Sequence, residues 1–239
     1  AYCSQQKEKL EKLRRFEENL QEMKDRLAKL EKILFENSDK LSRIRREYSS
    51  QLEQKVIQGL KDLNFLDVNF AIDFQRKKSY TDNGFDDIGY LISTNPGESL
   101  KPLGQIVSGG ELSRIMLALK AILADRDQIE TLIFDEIDTG ISGRTAQKVS
   151  EKMAVIGQHH QVLCITHLPQ IAAMADSHFE IEKHLKGTET ITQIHVLSEE
   201  DSVRELARLL SGTEITPAVL ENAKEMKELA QEQKNTRLK

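Results

Sequence analysis

The sequence is poor in several residue types and patterns, and each shortage excludes something. Its two cysteines, Cys3 and Cys164, are far apart, with no CxxC or Cys/His spacing near either. This excludes a disulfide framework and a cysteine-based zinc site. No stretch approaches the roughly 20 apolar residues of a membrane-spanning helix. The opening residues Ala1-Tyr2-Cys3-Ser4 carry neither an initiator Met nor a basic leader, so the expectation is a soluble, cytoplasmic chain cut from a longer one. Aromatics are 5% and hydrophobic residues 38% of 239, which suits one good core with a sizeable appendage better than two tightly packed domains. There is no excess of basic residues, since the net charge is −5. Bulk attraction to nucleic acid is thereby excluded, and any DNA contact needs a local basic patch or a basic partner.

Proline is missing from Gln5 to about Leu60, and the first glycine is Gly59. Glu, Lys, Gln and Arg fill the space between regularly spaced apolar residues, a pattern that predicts one long helix. Leu13, Leu20, Leu27, Leu34, Leu41 and Tyr48 recur every seven residues, and Phe16, Met23, Leu30 and Ile44 follow three after members of that series. These are a and d positions of a coiled coil, with Asn37 as a polar d layer that would fix register. A rod of about 80 Å at 1.5 Å per residue is too long for a small core to cover. The stripe predicts a partner helix from another chain or from a preceding segment folded back on it.

Period two takes over at Val68, Phe70, Ile72 and Phe74, with a second run from Ile88 to Ile92; Asp82-Asn83-Gly84 between them predicts paired antiparallel strands. Helix (110–124), strand (131–134), helix (144–156) and strand (162–165) then alternate. Short apolar strands in that arrangement predict a parallel sheet buried on both faces. Pro169 opens a short helix, residues 179–185 and 191–197 form a hairpin through Lys186-Gly187-Thr188, and two helices follow from about Ser202 and Pro217. The expected division is an arm at 1–63 and a lobe at 64–239.

Three clusters could carry chemistry. Ser108-Gly109-Gly110-Glu111 opens an amphipathic helix. Adjacent glycines permit close approach to N–H groups at a helix N-terminus, where a phosphate is favoured, although an ordinary Ser-capped start reads the same way. Thr131 to Phe134 is an apolar strand ending in Asp135 and Glu136. One carboxylate can hold Mg²⁺ while its neighbour polarises a water, or the two can simply be a solvated strand end. Val162 to Ile165 leads to His167, which the parallel arrangement puts at the same carboxyl edge, where open α/β sheets bind ligands. The other five histidines show no such convergence and are expected at the surface. No GxxxxGK[ST] occurs, so this chain alone cannot complete a nucleotide site, and no GxSxG supports a serine hydrolase.

In this order the clusters resemble the second lobe of an ABC-type head of the P-loop NTPase fold, with signature, Walker B, D-loop and switch histidine. Glu111 in the signature and the long coiled coil resemble the SMC-like branch. The longer stretches Ser93-Thr94-Asn95-Pro96-Gly97-Glu98, Ser108 through Lys120, Phe134 through Gly143 and Thr166 through Ala172 are similar to the RecN family of bacterial DNA-repair proteins. This resemblance runs from about Ser93 to Gly212.

It implies an ATPase acting in double-strand break repair by recombination, with ATP and Mg²⁺ as cofactors. Ser108, Gly109, Gly110 and Glu111 would meet the ATP of an opposite protomer, Asp135 would hold Mg²⁺, and Glu136 and His167 would be catalytic. Asp138 and Ser142 would lie in the D-loop, where many relatives carry an acid at the position of Ser142. The implied partners are an N-terminal lobe bearing Walker A, a partner helix, a second head and DNA, with no membrane and a nucleoid-associated location. The rival readings are a non-catalytic coiled-coil interaction module and the head of an SMC-type chromosome-organising ATPase. Arg76, Lys77, Lys78, Arg204 and Arg208 could face DNA or be solvated charge.

Overall fold

A computed structural model describes residues 2–106, 108–123, 129–186, 189–212 and 214–237. The end of the expected second helix at Ala124 and the Gly187-Thr188 turn lie outside them. The expected α/β class with a long N-terminal helix is observed. Its elements are α1 (Tyr2–Asp62), β1 (Asn69–Thr81), β2 (Gly84–Ser93), β3 (Lys101–Pro102), α2 (Gly109–Leu123), β4 (Thr131–Phe134), α3 (Gly143–Ile156), β5 (Gln161–Cys164), α4 (Pro169–Ala172), β6 (Phe179–Lys186), β7 (Glu189–Val196), α5 (Glu199–Ser211) and α6 (Pro217–Arg237). No helix among the described residues is long and apolar enough to cross a membrane.

The 61 residues of α1 span about 90 Å. Its heptad residues Leu13, Phe16, Leu20, Met23, Leu27, Leu30, Leu34, Ile44 and Tyr48 are exposed. The helix stops at Asn64, which takes a left-handed conformation (φ 69°) that Asn tolerates, while the Phe65 N–H turns back to the Leu60 carbonyl at 3.2 Å.

The chain forms two compact units, one of residues 1–53 with 71–90 and one of 54–70 with 91–239. In the first, the β1–β2 hairpin rests on a face of α1 made of small and polar residues. Ser38 and Ser42 are buried there. Asp86 accepts from the Ser42 hydroxyl at 2.7 Å and from Arg45 at 2.9 Å. Burial would push that carboxyl upward, but these hydrogen bonds and the charges of Arg45 and Arg46 hold it below the usual carboxylate value. The Arg76 guanidinium lies 4.5 Å from the Phe85 ring centre and 5.5 Å from that of Phe35, a stacking that engages its apolar faces.

In the second unit, Val56, Leu60 and Leu63 from the end of α1 are buried, as are Ile115, Leu117 and Ala118 of α2 and Val149 and Ile156 of α3. Gly59 faces α2, where a β-carbon would make ordinary contact with Ala118 at 3.7 Å. A separate apolar cluster joins Ala172, Ala173 and Met174 to Leu206 and Ala207 of α5 and Ala223 and Ala230 of α6.

Strands β4 and β5 are parallel, with Thr131 opposite Gln161 and Phe134 opposite Cys164. The expectation that this sheet is buried on both faces is corrected. Phe134 faces inward, but Ile133, Leu163 and Ile165 are 68%, 46% and 54% exposed. Alternate side chains leave opposite faces of a strand, and no element among the described residues covers the second face. His178 also departs from expectation. It is half-buried with Nδ1 2.9 Å from the Ser202 hydroxyl, and burial, helped by Lys227, pushes its pKa down.

Candidate functional site

The parallel register brings two of the three clusters to one rim. Beyond Phe134 and Cys164 the strands stay joined through the Ile165 N–H, which donates to the Phe134 carbonyl at 3.1 Å. Asp135 and Glu136 leave one strand and Thr166 and His167 leave the other. Asp135 and Glu136 are both exposed. Asp135 Oδ1 accepts the Glu136 N–H at 2.9 Å, a turn that puts Glu136 at φ 56°. A non-glycine residue held there carries a strain on the order of 1 kcal/mol, and such strain clusters at sites that must aim a side chain.

The third cluster joins the same turn. Ser108 and Gly109 are exposed and Gly110 is buried. Ser108 caps α2, its Oγ accepting the Glu111 N–H at 3.4 Å and its carbonyl the Leu112 N–H at 3.0 Å. The capped-helix reading therefore holds, and it leaves the tip of the helix open to solvent. A β-carbon on Gly109 would collide with the Glu136 carboxylate. One on Gly110 would stand 3.0 Å from the Glu136 carbonyl oxygen and 3.0 Å from Thr139 Cβ. Close approach of the Asp135–Thr139 backbone therefore calls for glycine at 110, whereas at 109 the neighbour is the movable end of the Glu136 side chain.

Two residues without a role in the sequence reading hold α2 to that turn. The Ser113 hydroxyl donates to the Asp135 carbonyl at 2.9 Å. Arg114, only 8% exposed, donates to the carbonyls of Thr139 at 2.8 Å and Ile137 at 3.3 Å, with its guanidinium 5.6 Å from the Phe65 ring centre. Burial lowers its pKa while Glu111 opposes the shift. The signal was in the sequence: Arg114 falls in the buried stripe Gly110, Arg114, Leu117, Ala118, and a charge in such a stripe needs fixed partners.

Asp138 is buried at 4% exposure. Its Oδ2 accepts from the Thr166 hydroxyl at 2.6 Å and the His167 backbone N–H at 2.9 Å, and it lies 3.0 Å from Nδ1 of the His167 ring. The ring itself is 73% exposed. Cys164 lies close by, its thiol pushed up to about 12 by burial and by the charges of Asp138 and Asp135. Ser142 is exposed at the N-terminus of α3, with its carbonyl accepting the Thr145 N–H at 3.2 Å and no capping bond from its side chain.

Three of the five basic residues offered as DNA-facing candidates are engaged locally. Arg76 stacks on phenylalanines, Lys77 pairs with Asp87 at 3.4 Å, and Arg208 with Glu205 at 2.6 Å.

No protein-family model matches the chain. Among curated proteins it is similar to the DNA repair protein RecN of Halalkalibacterium halodurans, 40% identical over 96% of this chain and 41% of that protein. It is also similar to RecN of Bacillus subtilis, 37% identical over 98% of this chain and 43% of that one. RecN of Treponema pallidum is 49% identical over 60% of this chain and 25% of its own length. The chain thus spans about two fifths of the first two relatives. Among solved structures, an Smc head domain with a coiled coil and joint from Pyrococcus yayanosii aligns over 70% of this chain and 30% of that one, at 17% identity and a TM-score of 0.49, a likeness too slight to argue from. With identity sustained across nearly its whole length in several such relatives, the chain belongs to the RecN family of DNA repair proteins.

Proposed function

We propose that this stretch is the C-terminal lobe and returning arm of an ABC-type, SMC-like ATPase head, with the arm at 1–63 and the lobe at 64–239. In this reading two heads close around ATP, hydrolysis reopens them, and the attached rods convert the cycle into holding DNA ends during recombinational repair. One observation carries the reading: the carboxyl edge of the β4–β5 pair gathers Asp135, Glu136 and His167 beside the exposed tip of α2.

The donor set suits ATP and Mg²⁺. Mg²⁺ is commonly held by one or two carboxylates together with substrate phosphates, and Asp135 offers one exposed carboxylate; no cluster of three ligating side chains exists among the described residues. Bound Mg²⁺ would neutralise charge on the triphosphate. Ser108, Gly109 and Gly110 offer N–H groups and a hydroxyl at the positive end of a 15-residue helix, with Glu111 on its first turn. They serve the ATP held by the opposite head, whose first lobe supplies Walker A. Glu136 takes the proton of an attacking water as its oxygen bonds to the terminal phosphorus and the bond to the ADP oxygen breaks. His167 faces the same rim and contacts the transferring phosphoryl group, while Ser142 lies at the head–head interface.

The test is Glu136→Gln in the longer protein that includes the first lobe. ATP binding should persist while hydrolysis falls roughly 10²–10⁴-fold, the usual contribution of a general base. Unchanged turnover would remove Glu136 from this role. No turnover in the unaltered protein, with both lobes associated, would favour the interaction-module reading.

A further inference from the structure

Glu136 holds a backbone conformation, φ 56°, that a residue with a β-carbon disfavours. We propose that Ser113 and Arg114 are the positioning residues that keep it there, clamping the peptides on either side of Glu136 so that its carboxylate stays aimed at the rim. The catalytic consequence rests on the ATPase reading; the clamp itself does not.

Side chains of α2 meet alternate carbonyls of the turn. The Ser113 hydroxyl donates to that of Asp135, and Arg114 Nη1 donates to those of Ile137 and Thr139. The carbonyls they skip are satisfied within the turn, where Glu136 accepts the Thr139 N–H at 3.0 Å and Asp138 the Ile141 N–H at 3.4 Å. Every carbonyl from Asp135 to Thr139 therefore has a donor, and the peptides before and after Glu136 are fixed from outside the turn. A strained backbone persists only where its surroundings over-determine it. Here α2 supplies the bonds that the turn cannot make for itself.

Arg114 shows that packing alone does not explain the arrangement. It is 8% exposed, and its buried Nε has no hydrogen-bond partner among the described residues. An unpaired buried donor is unfavourable, and an apolar side chain in the stripe of Gly110, Leu117 and Ala118 would avoid it. What the guanidinium adds is its reach to two carbonyls that lie 23 and 25 residues away in sequence. The clamp involves no ligand, so the acid is placed before nucleotide arrives. In this reading neither Ser113 nor Arg114 meets substrate; both act through Glu136.

The first test reads the backbone of residue 136 through stability. At positive φ glycine is favoured over alanine, and at ordinary φ the order reverses. Urea titration of this 239-residue chain should place the midpoint of Glu136→Gly above that of Glu136→Ala. Adding Arg114→Met to each should abolish or reverse that gap, and adding the milder Ser113→Ala should narrow it. An unchanged gap with Arg114→Met overturns the proposal; if that variant does not fold, an unchanged gap with Ser113→Ala does so. The second test uses the longer protein that includes the first lobe. There Arg114→Met should lower kcat for ATP roughly tenfold to a hundredfold, the scale of a small misplacement at a reacting centre, with KM little changed. Ile156→Ala is the control: it empties a fully buried position next to the start of β5, the end of the strand away from the rim, and should lose urea stability while keeping its kcat. An equal fall of kcat in Ile156→Ala, or an unchanged kcat in Arg114→Met, overturns the proposal. The expected gap together with no ATP hydrolysis by the unaltered protein would leave the clamp in place and sink the ATPase reading alone.

Discussion

Gly109 and Glu136 share one space: a β-carbon on the first would occupy the position of the carboxylate of the second. The helix tip and the strand-end acid of the same chain are therefore fitted to each other, although 27 residues of sequence separate them.

This fit predicts different outcomes for two adjacent substitutions. Gly109→Ala meets the far end of a flexible side chain, so Glu136 can swing aside and stability should change by less than about 1 kcal/mol, partly offset by the better helix propensity of Ala. Turnover should fall, because the displaced carboxylate is the proposed base. Gly110→Ala instead meets the Glu136 and Thr139 backbone at 3.0 and 3.1 Å, which yields less readily, and should destabilise by about 1–3 kcal/mol. Urea titration and ATPase assays separate the two; equal loss of stability in both would contradict the packing described.

Arg114 ties α2 to the acidic turn through two carbonyls. Arg114→Met keeps much of the length but removes the donors, leaving the Ile137 oxygen unpaired in a buried place and the part-buried Thr139 oxygen without this donor. A loss of about 1–3 kcal/mol in chemical denaturation is expected, the range for an orphaned buried group. No change would mean that water replaces the guanidinium without cost.

Cys164 supplies a pH test. Burial pushes its folded thiol up to about 12, so the folded state keeps its proton while the unfolded chain begins to release one. The unfolded state then binds fewer protons, and the stability contributed by the thiol is complete below its ordinary pKa and is lost as pH rises toward the folded value. The slope cannot exceed about 1.4 kcal/mol per pH unit. Cys164→Ala should flatten the alkaline limb of the stability profile. An unchanged limb would show that the thiol does not contribute to it.

The arm separates exposed from buried apolar positions. Leu20 and Leu27 are exposed on α1, whereas Leu60 is fully buried. Leu20→Ser with Leu27→Ser should leave the thermal stability of the second unit unchanged and weaken association with a partner helix, read by analytical ultracentrifugation with the N-terminal segment added. Leu60→Ala should cost about 2–5 kcal/mol by itself. Loss of stability in the exposed double variant would mean that the heptad face packs within this chain.

Much of the fold was legible because its signals are local. Heptads, Asp82-Asn83-Gly84, Pro169 and Pro217 each act within a few residues; the helices they predict start within three residues of those observed, whereas the two strands run on past Phe74 and begin before Ile88 to meet at the turn. The rim of the site was legible too, since two apolar strands linked by one helix run parallel and so bring Asp135, Glu136 and His167 to a common edge. What escaped depends on the third dimension. Ile133 and Ile165 read as buried because apolar strands usually are, and sequence does not say which layers are present to cover them. Asp138 looked like an interface residue from its place in the motif; only the register of β4 on β5 brings it to Thr166 and the His167 ring. His178 is expected at the surface because nothing near it in sequence signals its partner, Ser202, which lies 24 residues away on another element.

The interleaving of the two units sets an order of events at the ribosome. Everything needed for the hairpin unit has been synthesised once residue 90 has emerged, but residues 54–70 belong to a body whose remainder begins at Leu91. Domains generally fold as units, N-terminal first, as the chain is made. Val56, Leu60 and Leu63 are therefore made some fifty residues before Ile115 and Leu117, which are buried in the same unit, and a nascent chain stalled in that interval lacks the cover that α2 brings.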